Sequence, residues 1–210
     1  MPYEPPEPPP FDSADPDHQN LIALVRSYRS AGWFRSETGS DEDVARRARE
    51  RWWAEWADEV DTEGTDDGIF ICSADPERAT WFDPEADTCE ENATYLSVLD
   101  ELAGLSGSAV EFTDVVEDWN REPGRVFVSF RLDGGEHELA LHEFDDWVDP
   151  KVIEQLNHYL APERGRFWVF DGGGQAFAIT WATSAEAEAL SRSVRATLLD
   201  RAPDNWPGVR

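Results

Sequence analysis

The sequence predicts an α+β protein, and three observations carry that reading. Two alternating apolar hairpins occupy the C-terminal half, each followed by a helix with a recognisable start; helical apolar spacing fills the stretch from Gln19 to Val60; and 40% apolar residues, with ten Trp and eleven Phe in 210, suffice for one sizeable core. The expected architecture is a four-stranded antiparallel sheet in ββαββα order with helices on one face, joined to an N-terminal helical section. The chain divides into a Pro-rich acidic tail (1–17), a helical section (18–68), an acidic mixed region (69–124), the ββαββα unit (125–200) and a C-terminal tail (201–210).

The tail carries seven prolines and little to bury, which predicts disorder with polyproline-II character. Leu21, Leu24, Val25 and Tyr28 then fall at helical spacing from Gln19 to about Gly32. Ser40, followed by Asp41, Glu42 and Asp43, offers an N-cap and first-turn acids for a second helix. Its apolar stripe is Val44, Ala48, Trp52, Trp56 and Val60, with Trp53 on the flank. Between them, Arg46, Arg47, Arg49 and Arg51 are expected to pair with nearby acids and cover apolar surface with their stems. Residues 61–68 form a polar loop, Ile69 to Cys72 read as a strand, and 74–91 are irregular. Tyr95, Leu96, Leu99 and Leu102 mark a helix ended by Gly104.

In the C-terminal half, Arg125–Leu132 and Glu136–His142 alternate around Asp133-Gly134-Gly135, a hairpin. Asp149-Pro150 starts a helix with Val152, Ile153, Leu156, Tyr159 and Leu160 on its apolar face. Residues 166–171 and 175–181 form a second hairpin around Gly172-Gly173-Gly174. On its last strand Gln175, Phe177, Ile179 and Trp181 share the bulky face expected to be core. Thr183 with Glu186 is a capping box opening a final helix to about Leu199.

Charge excludes several function classes. Forty-five acids against 18 bases give a net charge of −27 and a pI near 4.2, and Lys151 is the single lysine. Such a chain lacks the basic stripe that neutralises phosphates, so nucleic-acid binding is not expected, and anionic membrane surfaces repel it. No stretch approaches the ~18 apolar residues of a membrane span, and MPYEPPEPPPFDS has no leader pattern, so a cytoplasmic protein is expected. Cys72 and Cys89 fit a reducing compartment and form neither a disulfide framework nor a Cys-rich zinc site.

Chemistry-bearing motifs are sparse. The Gly172–Gly174 triplet is followed by a strand and lacks a Gly-Lys-Ser/Thr, so it reads as a turn and not a phosphate cradle. His137 and His142 differ by an odd number along one strand and point to opposite faces, and no CxxC or HxxxH is present. Glu143, Asp145, Asp146 and Asp149 read as a solvated loop leading into a helix cap. There is no Gly-x-Ser-x-Gly elbow and no His beside either cysteine. No catalytic residue, metal or cofactor is assigned, and a non-enzymatic protein is expected.

The acids concentrate in the middle: residues 69–124 hold fourteen, offset by Arg78 and Arg121 alone. Dense like charge costs compact-state stability, which a cationic partner would relieve. One lysine beside seventeen arginines also fits GC-rich coding, and a salty cytoplasm favours acidic surfaces.

Trp81-Phe-Asp-Pro-Glu-Ala-Asp-Thr-Cys-Glu-Glu-Asn92, then Glu117-Asp-Trp119, then Asp145-Asp-Trp147-Val-Asp149 with the helix, strand, Gly-Gln, strand and helix that follow, give a layout over residues 70–195 that resembles small acidic bacterial proteins. Among these are uncharacterised families and the immunity proteins of bacterial toxin systems. The resemblance implies a neutraliser whose acids meet a basic protein, such as a toxin domain, around apolar anchors. The candidate contacts are Asp83, Glu85, Asp87, Glu90 and Glu91 with Trp81 and Phe82; the alternative for the two aromatics is core packing. The competing functions are a cytosolic adaptor or regulatory protein and a weakly motifed enzyme.

Overall fold

A computed structural model describes residues 8, 10–56, 75–82, 88–89, 92–144, 147–170, 177–194 and 197–201. The expected strand at 69–72, the Gly172–Gly174 turn and most of the Pro-rich tail lie outside them. Among the described residues there are five helices and two antiparallel sheets, so the protein is α+β. In chain order these are α1 (Pro16–Ser30), α2 (Asp41–Trp56), β1 (Ala79–Phe82), α3 (Thr94–Leu105), β2 (Thr113–Asp118), β3 (Arg125–Leu132), β4 (Gly135–His142), α4 (Lys151–Tyr159), β5 (Arg166–Phe170), β6 (Phe177–Ala182), α5 (Ser184–Val194) and β7 (Leu198–Leu199). None of these helices is long and apolar enough to cross a membrane.

Both expected hairpins form. β3 and β4 pair Val126 with Leu141 and Val128 with Leu139, while β5 and β6 pair Phe167 with Trp181 and Val169 with Ile179. They do not join into the single four-stranded sheet expected from their sequence. β3–β4 takes β2 as a third strand, in the order β2-β3-β4, and β5–β6 takes β1 and β7, in the order β1-β6-β5-β7. The reason lies in the bulky faces. Val126, Val128, Phe130, Leu139 and Leu141 of one hairpin and Phe167, Val169, Ile179 and Trp181 of the other belong to one buried cluster, together with Val98, Leu99 and Leu102 of α3 and Val152, Ile153 and Leu156 of α4. Two sheets that share a core bury both faces against large apolar partners.

The expected restriction of helices to one face is corrected for a related reason. The small residues Ala178 and Thr180 on the opposite face of β6 are as buried as Ile179, which makes β6 a strand covered on both sides. Over that second face, Ala178, Ala79 and Phe170 pack with Leu21, Val25 and Tyr28 of α1, Val44, Ala45 and Ala48 of α2, and Leu190 of α5. Small strand side chains let this helical layer approach closely.

Local capping follows the sequence. Ser40 Oγ accepts from the Asp43 N–H at 3.1 Å while Asp43 Oδ2 accepts from the Ser40 N–H at 3.0 Å. Thr183 and Glu186 make the same reciprocal pair, at 3.3 and 2.9 Å. The α2 arginines find acids as expected: Arg46 pairs with Glu50 at 3.2 Å, and Arg47 and Arg51 both reach Glu37, at 2.8 and 2.7 Å. Three boundaries move. α1 starts at Pro16 because Asp15 caps it, accepting from the Asp17 N–H at 2.8 Å, and Phe11 stacks on His18 with ring centroids 4.4 Å apart. Gly104 stays helical, and the left-handed turn comes at Gly107, with φ of 61°. The last helix stops by Val194, and Leu198–Leu199 pairs with Phe170 and Val169 as β7 instead of extending it.

Helix α4 ties the two sheets together through side-chain amides. Gln155 of α4 accepts from the Ala140 N–H and donates to the Ala140 carbonyl, both at 2.9 Å, as a neighbouring strand would. Asn157, 3% exposed, does the same for Phe167 of β5, at 2.9 and 2.8 Å, and donates to the Asp200 carbonyl at 2.9 Å. At the start of α4 the carboxylate of Asp149, 1% exposed, accepts from the Lys151 N–H at 2.9 Å and from the His142 N–H at 2.8 Å. This cap therefore also holds the end of β4. Tyr159 completes the seam, its hydroxyl donating to the Glu138 carbonyl at 2.8 Å.

Candidate binding surface

Of the residues singled out in the sequence, Asp83, Glu85, Asp87, Glu90 and Glu91 lie outside the described residues, as does the side chain of Trp81. Trp81 sits in β1 with its backbone opposite Ala178. Phe82 is 4% exposed, and its ring is one of the core side chains. The described part of the acidic middle region is built around α3 and β2.

α3 presents two faces. Tyr95, Val98, Leu99 and Leu102 enter the core, while Leu96 stays 45% exposed. The Tyr95 hydroxyl accepts from the Asp149 N–H at 3.0 Å; burial, then the adjacent Asp149 carboxylate, push its ionisation up, so it stays neutral at physiological pH. The first turn of α3 has no cap of its own. Glu117 of β2 serves instead, accepting from the Leu96 N–H at 2.7 Å with one oxygen and from the Trp119 indole N–H at 2.9 Å with the other. That contact fixes the helix beside the strand.

β2 is an outer strand of its sheet, paired among the described residues with β3 alone. Its register is irregular between Thr113 and Val116, where Asp114 adopts a left-handed φ of 52°. Such a bulge twists the strand and re-aims its side chains. Val116, opposite Ser129, lies on the sheet face away from the core and is 60% exposed. With Leu96 it makes up the large exposed apolar side chains among the described residues. Both therefore belong to the same two elements.

Between α3 and the start of β2 runs an open groove of about 810 Å³, with Leu96, Leu99, Ala103, Phe112 and Val115 on its walls and Asp100, Glu111 and Asp114 at its rim. Asp114 lies 4.0 Å from Arg131. No described cation comes within ion-pair distance of Asp100, Glu111 or Asp118. Arg121, the nearest base in sequence, is engaged elsewhere, bonded to both oxygens of Glu138 at 2.6 and 2.8 Å and lying 3.4 Å over the Phe127 ring. Its hydrogen bonds hold the Glu138 carboxyl below the usual range. The groove thus combines accessible apolar area with two carboxylates, Asp100 and Glu111, that have no described cation within ion-pair distance.

This surface was not legible from the sequence. Val115-Val116 is a β-branched pair between acids, a faint strand signal, and the flanking charge hides it. Fold and surface together define an acidic α+β protein with an open groove of mixed polar and apolar lining. Comparison with protein-family models, curated proteins and solved structures gives no match.

Proposed function

We propose that the chain is a non-enzymatic, cytoplasmic binding protein that captures a basic protein partner through its acidic middle region, in the manner its resemblance to toxin-neutralising immunity proteins implies. The observation that supports this most is the α3–β2 groove, where exposed Leu96 lies beside Asp100, Glu111 and Asp114, with Val116 exposed on the other face of β2. Apolar anchors set residence time and the surrounding field sets the encounter rate. The acids at 83–91 extend the same negative stretch of sequence.

The test uses a lysine-rich peptide of no fixed structure as probe, with association followed by stopped flow. The triple reversal D100K/E111K/D114K slows association at least tenfold, and 0.5 M salt abolishes the difference from the parent chain, because exposed charges are screened beyond about 8 Å at physiological ionic strength. A matched triple reversal away from the groove, E154K/E163K/E188K, changes the rate less than threefold. Equal effects from both sets, or association indifferent to salt, overturn the proposal.

A further inference from the structure

The two edges of the β2-β3-β4 sheet are treated differently by the rest of the molecule. Along β4, the Glu138 carbonyl, both backbone groups of Ala140 and the His142 N–H are occupied by Tyr159, Gln155 and Asp149. Along β2, among the described residues, no hydrogen bond other than those to β3 reaches the backbone of residues 113–118. An unpaired edge is a template for another strand. Beside it lies the groove, which leaves room for one.

Resting on the proposed capture of a basic partner, we infer that β2 is the docking edge and that the partner delivers an extended, lysine- or arginine-rich segment that adds to it as a fourth antiparallel or parallel strand. Backbone pairing supplies the attachment and alternate side chains the selectivity. One row of the added strand faces Leu96 and Phe112 in the groove; the other lies beside Val116 and Asp118 on the outer face. The bulge at Asp114 limits regular pairing to the stretch from Val116 to Asp118 and its immediate flanks.

Charge selects the occupant. A second copy of this chain would bring Asp114, Glu117 and Asp118 against themselves, and like charges directly opposite destabilise a strand pair. A cationic strand meets the same carboxylates with favourable sign. The edge is thus closed to self-association by its own acids and open to a basic segment.

The experiment uses the full chain and two capped peptides that alternate lysine with threonine, one unmodified and one N-methylated at every central backbone nitrogen, so that charge and side chains match while ladder donors are removed. Binding is measured by calorimetry at low salt, and amide exchange at residues 113–118 by NMR. The unmodified peptide binds and slows exchange in β2 at least tenfold at saturation, and the methylated peptide binds at least tenfold more weakly. Equal binding of the two peptides without slowing in β2 overturns strand addition while leaving capture of basic segments intact. Binding by neither peptide overturns both. Slowing in β2 that grows with protein concentration in the absence of peptide assigns the edge to a second copy and overturns the inference.

Discussion

Helices α3 and α4 flank opposite edges of the same three-stranded sheet and treat them in opposite ways. α4 brings Gln155, Asn157 and Tyr159 onto the backbone of β4 and β5, and with Asp149 at its head it occupies the outward groups of β4. Among the described residues, α3 is hydrogen-bonded to β2 through the Glu117 carboxylate, which caps the helix and leaves the strand's own backbone alone. The difference is one of side-chain chemistry. A carboxamide carries a donor and an acceptor and can stand in for a strand residue, whereas a carboxylate only accepts. A carboxylate can cap a helix, but it cannot seal a carbonyl-bearing edge.

Breaking the sealed side has the largest expected effect. Asp149→Ala strands the Lys151 and His142 N–H groups at a buried site and removes the cap of α4. At about 1–3 kcal/mol for each buried group left unsatisfied, we expect a loss of about 3 kcal/mol in urea unfolding. Next comes Asn157→Leu, which preserves volume while leaving Phe167 unpaired, at about 2 kcal/mol. Gln155→Ala costs about 1 kcal/mol because Ala140 is only half-buried and water replaces the amide. Gln155→Glu keeps the acceptor for the Ala140 N–H but places an oxygen against its carbonyl, so it is no better than alanine. If these changes on α4 cost nothing, the seam is not structural.

Acid pH acts on the helical layer and, at the sheet, on the exposed Glu138 carboxyl of β4, which the hydrogen bonds from Arg121 lower. Burial pushes the Glu37 carboxyl up, yet hydrogen bonds and charge from Arg47 and Arg51 outweigh it and hold Glu37 below its usual 4.5. The caps at Ser40 and Thr183 lower Asp43 and Glu186 in the same direction. A carboxyl whose folded value is depressed contributes stability above its unfolded value, and that contribution is lost as pH falls through the folded one. Asp75 has the opposite sign, since burial, only partly offset by its bond from the Phe34 N–H, pushes it up. Unfolding midpoints should therefore fall below about pH 4.5, and Glu37→Gln should flatten that fall. A Glu37→Gln profile as steep as the parent's would remove the Arg47–Glu37–Arg51 cluster from the account.

The smallest effect is expected on the open side. Leu96→Ser and Val116→Ser change stability within about 0.5 kcal/mol, because neither side chain is buried. The same changes weaken capture of the lysine-rich probe. A stability loss above about 1 kcal/mol from Val116→Ser would mean that the side chain is covered in the folded chain.

What the sequence made legible was local. Ser40 and Thr183 announced their helices through partners three residues away, and the β3–β4 hairpin followed from alternation around Asp133-Gly134-Gly135. What it hid was non-local. Whether β4 pairs with β5 or faces it depends on which partners bury Leu139 and Ile179 together, and no periodicity within either hairpin encodes that choice. β2 escaped because four of its six residues are Thr, Asp or Glu and one of them, Asp114, leaves the extended conformation. The edge roles of Gln155 and Asn157 were invisible for another reason: on a helix they read as ordinary polar positions beside the apolar face.

Native-state hydrogen exchange of the free 210-residue chain, read residue by residue by NMR, tests the asymmetry most directly. If α4 seals β4 and β2 is open, the Ala140 and His142 amides exchange only with global unfolding, whereas the amides of β2 that do not pair with β3 exchange at least a hundredfold faster through local opening. Equal protection along both edges would contradict that asymmetry, since β2 would then have a cover of its own and no free edge to offer a partner.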